Sequence, residues 1–237
     1  MWKSINLEAC LAQIKRRQAA GGDNLPGTKP TITISQMRGA GGDQVVPKLV
    51  DYLRPHTPNG CQWAVYDKNF MVKVLEDHGL SKMLADSLPE AKEPLVTELI
   101  NKLRSGHPSA AKIVELAVET IWRLAEGGYV ILVGRAANVI TAELKNVFHV
   151  RLVGSLDQRI ENTRLAHNFD RHTALKQVKA EDEAKKLYVK EYFGRDIDDP
   201  ELYHLIVNTD RFSHEQAAWL IGDAFTNWHK SVLAKAS

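Results

Sequence analysis

Only two cysteines, Cys10 and Cys61, occur in 237 residues, and they form no CxxC pair. That scarcity excludes a disulfide framework and a cysteine-held zinc, and it suits a reducing compartment. No apolar run approaches the roughly 18 residues a membrane span needs, and the N-terminus carries charges where a signal peptide would be apolar. The chain therefore reads as cytoplasmic, without a membrane partner. An excess of one charge is lacking as well: 31 Lys and Arg oppose 29 Asp and Glu, leaving a formal net charge of +2. No global field draws it onto nucleic acid, and the five tryptophans are too scattered to form a base-stacking platform. The nine histidines show no HExxH or other paired ligand spacing. A GxSxG elbow and a Cys-His arrangement are also missing, which argues against nucleophilic hydrolysis.

What is present is the composition of a folded protein with a real core, 44% hydrophobic and 25% charged. Residues Leu7 to Ala20 carry Leu7, Cys10, Leu11 and Ile14 at helical spacing and end on Lys15, Arg16 and Arg17, as a helix C-terminus favours. Gly21 to Pro30, "GGDNLPGTKP", reads as a linker, so residues 1–30 form a helical appendage to a main domain at 31–237. The appended helix either packs on the outside of that domain or binds a partner, including a second copy of the chain.

In the main domain, "TITIS" is a β-branched strand and "DQVVPKLVDYLRPH" an amphipathic helix with Pro47 in its first turn. Helices are expected at Asn69 to His78, Glu90 to Leu103 and Ala110 to Ala125. "GYVILVG", Gly128 to Gly134, is apolar enough to be a strand covered on both faces. "NVFHVRLVG" is the next strand. A helix follows with Ser155 and Gln158 at capping-box spacing, then a short strand within "LYHLIVN" and a last helix with Ser213 and Gln216 in the same relation. Strands alternating with helices predict a parallel α/β sheet with right-handed crossovers.

The stretch "ITISQMRGAGGDQVV", Ile32 to Val46, places a glycine turn between a strand and a helix N-terminus, where converging N–H groups and the helix dipole attract anions. Gly39, Ala40, Gly41, Gly42 and Asp43 are its candidate phosphate-binding residues. Laid on GxxxxGK[ST], the loop has Gln36 at the first glycine, Gly41 at the second, Gly42 at the lysine and Asp43 at the hydroxyl residue. The lysine is thus missing. Arg38 either supplies its charge, as a planar donor able to grip two phosphate oxygens, or is a solvated surface residue. Asp43 either approaches a magnesium ion, directly or through water, or only favours the helix dipole.

Several segments in order resemble the cytidylate kinase-like family, a branch of the P-loop nucleoside monophosphate kinases. They are "ITISQMRGAGG", with Gln36 where the family commonly has arginine, "VYDKNF", "VILVGRAANVI", "HVRLVGSLDQRI" and "EDEAKKLYVKEYFGRDIDDPELYHLIVNT". Together they span about residues 31 to 225. The resemblance implies a P-loop NTPase-type parallel sheet flanked by helices, a helical lid at about 165–197, ATP and Mg²⁺ as cofactors, and transfer of the γ-phosphate to a nucleoside monophosphate such as CMP.

Phosphoryl transfer of this kind needs cations converging on the transferred group. The resemblance assigns catalytic roles to Arg38, Arg135 and Lys185, and acceptor contacts to Asp67, Lys68 and Arg135. Its lid cations are Arg159, Arg164, Lys185 and Lys186. Two positions depart from the family. Ala136 replaces an aspartate that contacts the acceptor sugar in cytidylate kinases, and Lys185 replaces an arginine in a D-x-x-R pattern beginning at Asp182, keeping charge but losing bidentate geometry. These departures and the missing lysine leave two alternatives open, a nucleotide-binding regulatory protein with little or no transferase activity and a kinase for another small acceptor.

Overall fold

The structure, a computed structural model, describes residues 29–57, 61–67 and 110–236. The helices expected at Leu7 to Ala20, Asn69 to His78 and Glu90 to Leu103, most of the linker, and Lys68 lie outside the described residues. Lys29 and Pro30 are tied to the sheet, their carbonyls accepting from Asn146 Nδ2 at 2.7 Å and from the Tyr129 amide at 2.6 Å.

Five parallel strands are ordered β2-β3-β1-β4-β5: β1 Thr31–Gln36, β2 Ala64–Tyr66, β3 Val130–Val133, β4 Val147–Val153 and β5 Leu205–Asn208. The helices are α1 Gly42–Leu53, α2 Ala110–Gly127, α3 Ala137–Ile140, α4 Leu156–His167, α5 Arg171–Phe193 and α6 His214–Ala236. Central β1 shows why the sheet is covered twice. Ile32 and Ile34 join a core with Val150 and Leu152 of β4, Val45 and Leu49 of α1 and Ala217 and Ile221 of α6. The opposite face packs Val130, Leu132 and Val147 against Val118, Ile121 and Trp122 of α2 and Tyr188 and Val189 of α5. Among the described residues, no helix is long and apolar enough to cross a membrane.

The second face of β1 is polar, and each hydroxyl has a partner, as burial demands. Thr31 Oγ1 donates to the Ala125 carbonyl at 2.9 Å, Thr33 Oγ1 shares a 2.8 Å hydrogen bond with His149 Nδ1, and Ser35 Oγ accepts from Arg151 at 2.7 Å. Burial, with a smaller contribution from His204, pushes the His149 imidazole down to about 3 from 6.5. An unfolded chain takes up that proton first, so the neutral ring's contribution to stability is complete above about pH 6.5 and is lost progressively as pH falls toward 3. In that window the His149→Gln variant should lose stability less steeply than the parent, by about 1.4 kcal/mol per pH unit, in urea unfolding at pH 6, 5 and 4. Parallel slopes would show that the histidine titrates normally in the fold.

Two local expectations change. Helix α1 starts at Gly42, so Pro47 sits in its second turn, not the first. The missing hydrogen bond falls between exposed residues, where water can serve the Asp43 carbonyl. At α4, Ser155 Oγ accepts from the Gln158 amide at 3.4 Å, but the Gln158 side chain turns to Asn162 and the Ser155 amide donates to Asp210. Helix α6 carries the full reciprocal cap between Ser213 and Gln216.

Candidate phosphate-binding and acceptor site

The glycine loop leaves the carboxyl end of β1, the edge at which parallel sheets bind ligands. Gly39 at φ 79° and Gly41 at φ 83° take the left-handed conformation that their lack of a Cβ permits. Close neighbours also require them. A Cβ on Gly39 would stand 2.3 Å from the Arg159 carbonyl oxygen, and one on Gly41 2.6 Å from His214 Nε2. The Gly42 amide donates to Gln36 Oε1 at 2.8 Å.

Helices α4 and α5 form a hairpin whose turn lies between Asn168, the C-cap of one helix, and Asp170, the N-cap of the next. Its inner residues hold the loop. Asp182 accepts from the Arg38 amide at 2.7 Å and from the Arg159 guanidinium at 2.5 Å. Arg159, only 8% exposed, also donates to the carbonyls of Arg38 and Gly154, and Asn162 donates to that of Gly39. Lys185, one helical turn beyond Asp182, donates from Nζ to the Gln36 carbonyl at 3.1 Å. The lid thereby delivers an ammonium group to a loop that has no lysine of its own.

The Arg38 side chain turns toward the hairpin, donating to His167 Nε2 at 2.5 Å and lying 3.4 Å from Glu181. Lys186 pairs at 2.7 Å with Asp198, whose other oxygen accepts from Arg151 at 2.6 Å. Burial pushes the Asp198 carboxyl up, but the Lys186 hydrogen bond and the Arg151 charge outweigh it, leaving the group below its ordinary value. Arg164 is bonded to Glu161 on the same helix and is 40% exposed, so it is not among the side chains holding the loop. Asp43 is exposed in the first turn of α1. No cluster of three metal-ligating side chains occurs among the described residues.

Across β1, Arg135 follows β3 and is 6% exposed. Gly134, Arg135 and Ala136 are three successive left-handed residues, at φ 78°, 55° and 55°. Such a backbone costs about 1–2 kcal/mol at each non-glycine position and is found where a site fixes it. Arg135 lines a small cleft with Tyr66, Asp67, Ile121, Leu124 and Leu132. The structure thus places Arg135 and Asp67 on the lining of one cleft and gathers Arg38, Arg159 and Lys185 around the loop. Arg151, Asp198, Asn162 and His167 were not singled out in the sequence. A charged residue inside the apolar "HVRLV" run was the one available signal for Arg151, and the others depend on contacts that sequence spacing does not show.

A glycine loop between the central strand and a helix, at the carboxyl edge of a parallel sheet and under a helical hairpin, defines a P-loop kinase fold. The chain belongs to the cytidylate kinase-like family, whose model matches residues 31–211. No curated protein matches it significantly. Among solved structures it is similar to an uncharacterised protein from Eubacterium ventriosum at 18% identity, covering 83% of this chain and 98% of that one with a TM-score of 0.61. A shikimate kinase from Acinetobacter baumannii, solved with shikimate, matches at 15% identity, 82% and 91% coverage and a TM-score of 0.46.

Proposed function

We propose that this chain is a phosphotransferase that moves the γ-phosphate of ATP to a nucleoside monophosphate, with CMP the first acceptor to test. The observation that carries the proposal is the approach of Lys185 to the loop whose lysine is replaced by Gly42. Loop amides and Lys185 hold the donor phosphates, and Arg38 exchanges Glu181 for a phosphate oxygen. Arg135 and Asp67 hold the acceptor, Arg135 its phosphate and Asp67 a hydroxyl or base edge. Closure of the α4–α5 hairpin excludes water and strengthens these electrostatic contacts.

Asp43 fits a magnesium role. Its carboxylate is exposed beside the loop and makes no hydrogen bond or ion pair among the described residues, and magnesium on a nucleotide keeps several waters and needs only one or two protein carboxylates. The ion, when bound, neutralises charge on the donor phosphates. Arg38→Ala should weaken ATP binding about tenfold, the loss of one charge-assisted hydrogen bond, in a titration that follows tryptophan fluorescence. An unaltered affinity would confine Arg38 to joining the loop and the lid.

One observation favours a second reading, a regulatory nucleotide-binding protein with slow transfer. Two loop amides, those of Arg38 and Gly42, are engaged by the protein's own side-chain oxygens. Tight ATP binding without turnover would distinguish it.

A further inference from the structure

Gly42 stands where the loop lysine is expected, and the space around it is filled. A Cβ there would lie 2.2 Å from Gln36 Oε1, 2.6 Å from its Cδ and 2.8 Å from its Nε2. The carboxamide of Gln36 therefore covers the Gly42 backbone, in the volume through which a lysine side chain would leave. Missing lysine and inserted glutamine are one steric exchange, linking positions six apart in sequence.

The chemistry of the contact fixes the orientation of the amide. Gly42 N–H is a donor, so the atom 2.8 Å from it must be the carboxamide oxygen. With Oε1 held, the planar group fixes Nε2 as well, and among the described residues Nε2 makes no hydrogen bond. Gln36 is half-buried, so both N–H groups are available at the loop. Lys185 Nζ, 3.1 Å from the Gln36 carbonyl, brings its positive charge to the same residue.

We infer that Gln36 is a phosphate-binding residue that relays the Gly42 N–H outward. Its oxygen takes the amide hydrogen bond a nucleotide phosphate would otherwise take, and its Nε2, beside the root of the path a lysine side chain would follow, donates to that phosphate. The neutral carboxamide supplies directed donors and Lys185 supplies the charge, so two residues divide what one lysine does. This inference rests on the nucleotide-binding reading above.

The test is equilibrium binding of ATP and of inorganic tripolyphosphate to the full chain and its Gln36 variants, each first shown to unfold cooperatively. Gln36→Met keeps the length, removes donor and acceptor and frees Gly42 N–H; a loss of about tenfold or more for both ligands is expected. Gln36→Glu keeps the acceptor for Gly42, removes the donor and adds a negative charge, and should lose about 100-fold. Gln36→Lys should restore affinity to the parent level or beyond. Parent-like or tighter binding by Gln36→Met would overturn the inference and make Oε1 a plug in the nest. If the parent binds neither ATP nor tripolyphosphate, the nucleotide-binding reading fails and the inference with it.

Discussion

Arg135→Ala should abolish acceptor-dependent phosphate transfer, lowering kcat/KM at least about 100-fold, while ATP affinity and cooperative unfolding stay close to those of the parent. The size follows from the loss of a bidentate, charge-assisted contact in a water-poor cleft, where one such donor contributes about 10²- to 10³-fold to a rate. The substitution adds no backbone strain, because alanine meets the same left-handed position that arginine already occupies at φ 55°. Arg135→Lys should fail nearly as badly, since a point charge on a flexible stem does not reproduce the planar fork. The loss should fall on turnover in steady-state kinetics and leave ATP titration unchanged. Undiminished turnover would leave Arg135 a structural side chain of the cleft.

Asp182→Ala should destabilise the protein by roughly 3 kcal/mol, since it strands the nearly buried Arg159 without its carboxylate. For a chain of this size that is a fall in Tm of about 6–12 °C. ATP binding should weaken as well, because the same carboxylate holds the Arg38 amide and so the shape of the loop. Pairing Asp182→Leu with Arg159→Met removes both charges and should recover much of the stability, as buried ion pairs replaced by apolar side chains often do. ATP affinity should stay low in that double variant. A drop in Tm below about 2 °C for the single variant would mean that the lid is not held to the loop by this pair.

The sheet and the loop were legible because they are encoded locally. Ile32 and Ile34 alternate with hydroxyls, "VILV" is continuous, and glycines sit between strand and helix, so period and turn chemistry mark them without tertiary information. β2 was not marked as a strand, since Ala64–Tyr66 is three residues long and takes its partner from β3. Side-chain destinations were the least legible part of the site. Ser35 meets Arg151 because strand register puts them side by side across 116 positions, and Asp182 meets the Arg38 amide across 144. Arg164 shows the converse. Its place on the lid helix was legible, but a carboxylate three residues away on the same helix claims its guanidinium. Short-range competition of this kind depends on rotamers rather than on spacing alone.

ADP release from ATP and Mg²⁺, with each nucleoside monophosphate offered in turn to the parent and to Arg135→Ala, tests the central claim most directly. Turnover with a nucleoside monophosphate, lost in the variant, is the expected result. ATP binding without ADP release for any of these acceptors would contradict it.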